Sequence, residues 1–132
     1  MKTFLDIICE IILYIWQLPQ NIIGFILRSF FPKATITEIE GVNFFYYEFF
    51  PGGISLGNTI LLNTLNKSAV LHEHGHQIQS LYLGPLYLIV IGIPSIIWAG
   101  IYGSKICPRT HNGYYKFYTE KSADKLGGVI RY

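Results

Sequence analysis

Charge is scarce in this chain of 132 residues: ten Lys and Arg and eight Asp and Glu make up 14% of it, against roughly 25% in an ordinary soluble domain. With hydrophobic residues at 51% and a mean hydropathy of +0.36, that scarcity excludes a disordered or heavily solvated chain. The net charge of +2 is too slight and its carriers too scattered to draw nucleic acid, so no such partner is expected. Cysteine is nearly absent. Cys9 lies in an apolar stretch and Cys107 far downstream, so both read as free thiols and no disulfide scaffold is expected. There is no internal repeat and no low-complexity tract. The apolar start lacks a small-residue cleavage site and is interrupted by Asp6 and Glu10, so it is expected to be retained rather than removed as a signal peptide. The length allows one domain.

What the chain has in excess is aromatic. Ten Tyr and nine Phe bring aromatics to 16%, which suits a protein whose edges sit at a lipid headgroup layer. Residues 1–33 read as an apolar helical anchor in two pieces, Ile11 to Trp16 and Ile22 to Leu27, separated by Gln17-Leu18-Pro19-Gln20-Asn21. Neither piece alone spans a bilayer, which takes roughly 20 residues at about 1.5 Å each. Three arrangements fit: one kinked transmembrane helix, a helical hairpin broken at Pro19 and dipping into one leaflet, or an amphipathic helix covering the core. Residues 34–63 change grammar, with alternation over Ala34 to Glu40, a β-prone aromatic run from Val42 to Phe50, and punctuation at Pro51-Gly52-Gly53. This predicts a small antiparallel sheet, in which Gly57-Asn58 is either a two-residue hairpin turn or a bulge.

Residues 64–132 are expected to hold two helices separated by an apolar insert, completing a single α+β domain. Capping residues in Asn63 to Ser68 open a helix from about Ala69 to about Tyr82, ended near Gly84-Pro85. From Leu81 to Tyr102 there are 22 residues without a charge, interrupted by Pro85, Gly92-Ile93-Pro94 and Gly100. A loop around Pro108 to Gly113 then leads to a helix from about Tyr114 to Leu126, closed by Gly127-Gly128.

The chemistry lies in His72-Glu73-His74-Gly75-His76, an HExxH motif. On a helix His72 and His76 share a face one turn apart, so both imidazoles can converge on one zinc ion, Zn2+, at about 2.0 to 2.1 Å. Glu73 stands beside them, where a carboxylate can accept a proton from water acidified by the metal and hand it to a leaving amine. A catalytic site needs a third protein ligand. Glu120 and Asp124, in Glu120-Lys-Ser-Ala-Asp124, also stand one turn apart on a helix. Glu120 would complete a two-His, one-Glu set, and Asp124 would accept the free ring N–H of a ligand histidine. Ala123 is small enough to let the two helices approach closely, and Gly75 marks a place where another backbone packs against the first. His74 points away from the ligand face. His111, Tyr114, Tyr115 and Tyr118 lie upstream of Glu120; any of them, His111 and Tyr115 foremost, can donate to the oxyanion, and aromatic packing at a membrane interface is the alternative that outweighs this for any one of them. Tyr82, Tyr87 and Trp98 are expected to face the membrane.

HExxH followed downstream by Glu-x-x-Ala-Asp resembles the gluzincin metallopeptidases, and more closely their integral-membrane members of the CAAX-prenyl endopeptidase and heat-shock membrane protease type. The resemblance covers the two motif helices and their order. It implies His72, His76 and Glu120 as ligands, Glu73 as general base, and Asp124 as the partner of a ligand imidazole. It also implies that a strand edge beside the zinc helix, here within Ile54 to Asn63, holds a peptide or protein substrate by strand addition.

For His76 and Glu120 to share a metal, Leu81 to Tyr102 must re-enter rather than cross, as a hairpin broken at Gly92-Ile93-Pro94. Arg28, Lys33, Lys67, Lys105 and Arg109 then lie on one side, the cytoplasmic one by the positive-inside tendency. The leading expectation is a membrane-associated zinc endopeptidase with the lipid bilayer and a peptide as partners. Two alternatives stay open: an inactive zincin-like membrane protein in which zinc only staples two helices, and a purely structural membrane protein whose motif is accidental.

Overall fold

The structure, a computed structural model, describes residues 1–39, 42–50, 52–103 and 114–130. The expected loop from Pro108 to Gly113, and with it Lys105, Cys107, Arg109 and His111, lies outside the described residues. The fold is α+β, with a small mixed sheet among five helices of the described residues.

Helix α1 (Phe4–Trp16) starts at a capping box in which the Thr3 hydroxyl accepts from the Asp6 N–H at 3.2 Å and the Asp6 carboxylate accepts from the Thr3 N–H at 3.0 Å. Helix α2 (Leu18–Ser29) follows after one residue. Pro19 sits in its first turn, where a missing N–H costs nothing, and the two axes are bent by 84°. No residue of α1 is buried, and α2 buries Gln20, Asn21 and Gly24.

Strands β1 (Thr35–Ile39) and β2 (Val42–Tyr46) pair antiparallel, as do β3 (Gly53–Leu56) and β4 (Thr59–Leu62). Leu56 pairs with Thr59, so Gly57-Asn58 is a two-residue hairpin turn, with Gly57 at φ +62°. The sheet order is β1-β2-β4-β3, and β2 runs parallel to β4, which corrects the expectation of a purely antiparallel sheet. The hairpin enters with β4 inward because Thr59-Ile60-Leu61-Leu62 is apolar enough for burial on both faces, and every residue of β4 is buried. Strand β3, carrying Gly53 and Ser55, is left at the edge. Helices α2 and α3 both pack on this hairpin, and Phe44, Ile60, Leu62 and Val70 form a buried cluster.

Helix α3 (Lys67–Leu83) carries the motif and stops at Gly84, whose φ of +55° leaves the helical region. A Cβ there would also lie 2.1 Å from the Trp16 ring, so Gly84 both ends α3 and admits the indole. A 3₁₀ turn over Gly84–Leu86 redirects the chain, and a π turn over Leu88–Gly92 runs directly into α4 (Ile93–Gly103). The expected break at Gly92-Ile93-Pro94 is therefore absent, and the turn falls at 84–86 instead. Pro94 is accommodated by the wide π turn before it, while the Val90 carbonyl accepts from the Tyr118 hydroxyl at 2.7 Å. Leu88–Ile101 rises about 21 Å at about 1.5 Å per residue. Among the described residues no single helix is long and apolar enough to cross a membrane. Helix α5 (Tyr118–Gly127) begins later than its sequence suggests and ends at Gly128, in the left-handed conformation at φ +77°.

Of the three aromatics expected to face lipid, Tyr82 is 75% exposed, but Tyr87 is buried and donates to the Ser55 carbonyl at 2.9 Å. Trp98 stacks on Phe117 with ring centroids 4.6 Å apart and donates to the Tyr114 carbonyl at 2.9 Å.

Candidate metal centre

Helices α3 and α5 touch backbone to backbone. A Cβ on Gly75 would lie 1.8 Å from the Ala123 carbonyl oxygen, and one on Gly127 would lie 1.9 Å from that of Leu71. Ala123 is fully buried at this crossing. The close approach puts the buried His72 and His76 of α3 opposite the buried Glu120 and Asp124 of α5.

One possible ligand atom from each of His72, His76 and Glu120 lies within 4.8 Å of the others. His76 Nε2 is 3.2 Å from Glu120 Oε2, and His72 Nε2 is 3.7 Å from Glu120 Oε1. Ligand atoms around a tetrahedral zinc with bonds of about 2.0–2.1 Å stand about 3.3 Å apart, so the spacing fits the ion. Both rings are held from behind. Asp124 Oδ1 is 2.6 Å from His72 Nδ1, and Gln79 Oε1 is 2.7 Å from His76 Nδ1. The Gln79 amide also donates to the Thr119 carbonyl at 3.0 Å, tying α3 to the start of α5. With Nδ1–H given to these acceptors, each ring turns Nε2 toward Glu120, the nitrogen whose lone pair a metal would take on loss of its proton.

The Glu120 carboxylate accepts from Tyr114 OH at 2.8 Å, from Thr119 Oγ1 at 3.0 Å and from Ser95 Oγ at 3.2 Å. Burial disfavours its charge, but the facing imidazoles of His72 and His76 prevail and hold it well below the usual carboxylate range. For His76 burial again opposes charge, and the hydrogen bond to Glu120 with the charges of Glu73 and Glu120 outweighs it, raising the imidazole to about 9. Glu73 is buried and burial pushes its carboxyl up, against the lowering effect of His76 and His72. Among the described residues its Oε2 has no hydrogen-bond partner. Gly53 of the edge strand makes room for this side chain, since a Cβ there would lie 2.7 Å from Glu73 Oε1.

These groups open on a small cleft of about 70 Å³, walled by β3 on one side and by Gly92, Ser95, Ile96 and Ala99 on the other. Of the expected oxyanion donors, Tyr115 sets its ring edge-to-face on His72 with centroids 5.2 Å apart, and His111 lies outside the described residues. The Tyr114 hydroxyl reaches Glu120, whereas that of Tyr118 goes to Val90. His74 is half-buried away from the cluster, beside Lys2, Tyr14 and Gln77.

Gln79, Ser95 and Thr119 escaped the sequence reading. Gln79 had a signal, being a polar residue one turn beyond His76 on the same face, and Ser95 is the one serine in the uncharged stretch from Leu81 to Tyr102. Thr119 had none. No protein-family model, curated protein or solved structure matches this chain.

Proposed function

We propose that this protein is a membrane-associated, zinc-dependent endopeptidase, with His72, His76 and Glu120 holding the ion and its site on the cytoplasmic side. The observation that carries this reading is the buried Glu73, whose Oε2 lacks a partner among the described residues beside the three ligand groups. An ion that only stapled two helices would need no such acid, and an unpaired buried carboxylate oxygen is costly to keep.

Bound zinc would polarise the scissile carbonyl and acidify water. Glu73 takes the proton from that water and delivers it to the leaving amine. Asp124 and Gln79 fix the histidine tautomers, and Tyr114, Ser95 and Thr119 hold the Glu120 carboxylate in one orientation. Tyr115, standing against His72, is the proposed oxyanion donor. An extended peptide adds to the edge of β3, in line with Glu73. Helices α1, α2 and α4 turn large apolar side chains outward, among them Ile12, Ile23 and Ile96, which supports a place at a membrane.

The test is metal analysis and peptide cleavage of detergent-purified protein beside Glu73→Gln. The variant should keep one zinc per chain and lose at least about 10²-fold in cleavage, because the amide cannot accept the proton. Stoichiometric zinc in a wild type that cleaves nothing in a broad peptide library would favour the stapling role instead.

A further inference from the structure

Helix α2 is inside out. Its inward face is Gln20, Asn21 and Gly24, while Ile22, Ile23, Phe25 and Ile26 are exposed, the reverse of a helix that meets water. The inward polar groups lock the bend to α3. Gln20 donates to Ser80 Oγ and to the Gly84 carbonyl, each at 2.8 Å, and Ser80 donates to Gln17 Oε1 at 2.6 Å. At the corner the Trp16 indole donates to the Leu81 carbonyl at 2.9 Å, and Asn21 Oδ1 accepts from the Asn58 N–H at 2.7 Å. Straightening α1 and α2 into one span would break this set, so the 84° angle is built into the protein.

Charge placement says what covers the outward face. Between Glu10 and Arg28 there is no charged residue; Lys2, Asp6, Arg28 and Lys33 lie toward the two outer ends, and Glu10, halfway along α1, is paired with Lys2 at 2.9 Å. The corner packs on the end of α3, where Tyr82, Leu86 and Ile89 are exposed and the sequence is also free of charge. The corner and the end of α3 thus present an apolar surface whose nearest charges are the paired Lys2 and Glu10, and Lys67 begins α3 at the opposite end. We infer that the α1–α2 corner and the end of α3 form a wedge that enters one leaflet of a lipid bilayer, with both charged ends of the helix pair at the same headgroup layer.

Dimensions agree. The helices of 13 and 12 residues are about 20 and 18 Å long at about 1.5 Å per residue. Their uncharged parts, residues 11–16 and 18–27, are about 9 and 15 Å long, and set corner-down with the 84° bend they reach about 6–10 Å, inside one leaflet of a hydrocarbon core of about 30 Å. Standing either helix upright would carry Arg28 or the Asp6–Glu10 end into hydrocarbon, where each charge at the centre disfavours insertion roughly a hundredfold. His76 then stands two turns up α3 from the inserted end, so the site meets chains at the bilayer surface.

The inference rests on the membrane association proposed above and not on catalysis, so its test reads no activity. The full chain, with Cys9 and Cys107 replaced, carries single cysteines at position 2, 15 or 33. It is bound to sealed vesicles of phosphatidylcholine with phosphatidylglycerol and treated with an impermeant maleimide. Positions 2 and 33 should label from the outside, and position 15 only after detergent. Ile15→Glu with Ile23→Glu, both at exposed positions, should weaken vesicle binding at least about tenfold while the helical spectrum in detergent is kept. Labelling of 2 and 33 from opposite sides would overturn the wedge and leave membrane association standing. Failure to bind vesicles, with a soluble dimer in its place, would overturn both.

Discussion

Replacing Gly75 by Ala is the sharpest test of how the two motif helices make the site. Alanine favours a helix interior over glycine by about 1 kcal/mol, so α3 alone would gain. The structure argues for a larger loss. The new Cβ would stand 1.8 Å from the Ala123 oxygen and 2.6 Å from its carbonyl carbon, and α5 must retreat by about 1.6 Å to reach an ordinary contact of 3.4 Å. Both neighbours are backbone, so no side chain can swing aside. The retreat carries Glu120 and Asp124 with it, stretching the 2.6 Å bond from Asp124 to His72 beyond hydrogen-bond length. Overpacking costs about 1–3 kcal/mol and the lost charged hydrogen bond about 1.5–3, for a net loss of about 1.5–5 kcal/mol after the helical gain of about 1. Zinc ligands tolerate displacements of only about 0.2 Å, so affinity should fall at least 10-fold, to about 100-fold. The assay is chelator competition for zinc beside denaturant unfolding in detergent. Gly100→Ala is the matched control, because a Cβ there meets nothing within 4 Å among the described residues. It should leave zinc binding alone and stabilise α4 by up to about 1 kcal/mol. If Gly75→Ala binds zinc as tightly as wild type, close helix contact does not set the site.

Asp124→Ala should lower zinc affinity about 10- to 100-fold in the same competition, while Glu120→Ala or His76→Ala removes stoichiometric binding. Equal loss in Asp124→Ala and Glu120→Ala would mean that the two carboxylates have exchanged roles. The His76–Glu120 pair sets opposite pH trends. Its stabilisation of the metal-free protein is fully present below the ordinary imidazole value of 6.5 and is lost as pH rises through about 9. Zinc must displace that proton, so affinity should climb by up to about tenfold per pH unit over the same range. Titration of both between pH 7 and 9 checks this, and parallel trends would refute it.

The motif helices were legible because HExxH and Glu-x-x-Ala-Asp depend only on local helical spacing, and Gly75 and Ala123 announced a close crossing. The α+β class followed from the change of periodicity at residue 34. The parallel pairing of β2 with β4 was not legible, since strand order depends on which strand of the hairpin tolerates burial on both faces. Gly92-Ile93-Pro94 read as a break because proline forbids the ordinary helical bond, and a π turn with Tyr118 on the Val90 carbonyl resolved that conflict. Tyr87 read as membrane-facing from its apolar neighbours. Its burial depends on a partner 32 positions away, which no local pattern encodes.

That bond to Ser55 also bears on self-association. The hairpin closes at Leu56 and Thr59, and Asn63 donates to the Gly52 carbonyl at 3.0 Å, so Gly53 and Ser55 turn their backbone groups away from β4. An open strand edge recruits other chains indiscriminately and seeds aggregation. With the Tyr87 hydroxyl on the Ser55 carbonyl, only Gly53 keeps both outward groups free of that contact. A foreign sheet finds too short a ledge to grow on. A single phenol thus lets the edge stay open beside Glu73 without becoming a template for its own kind.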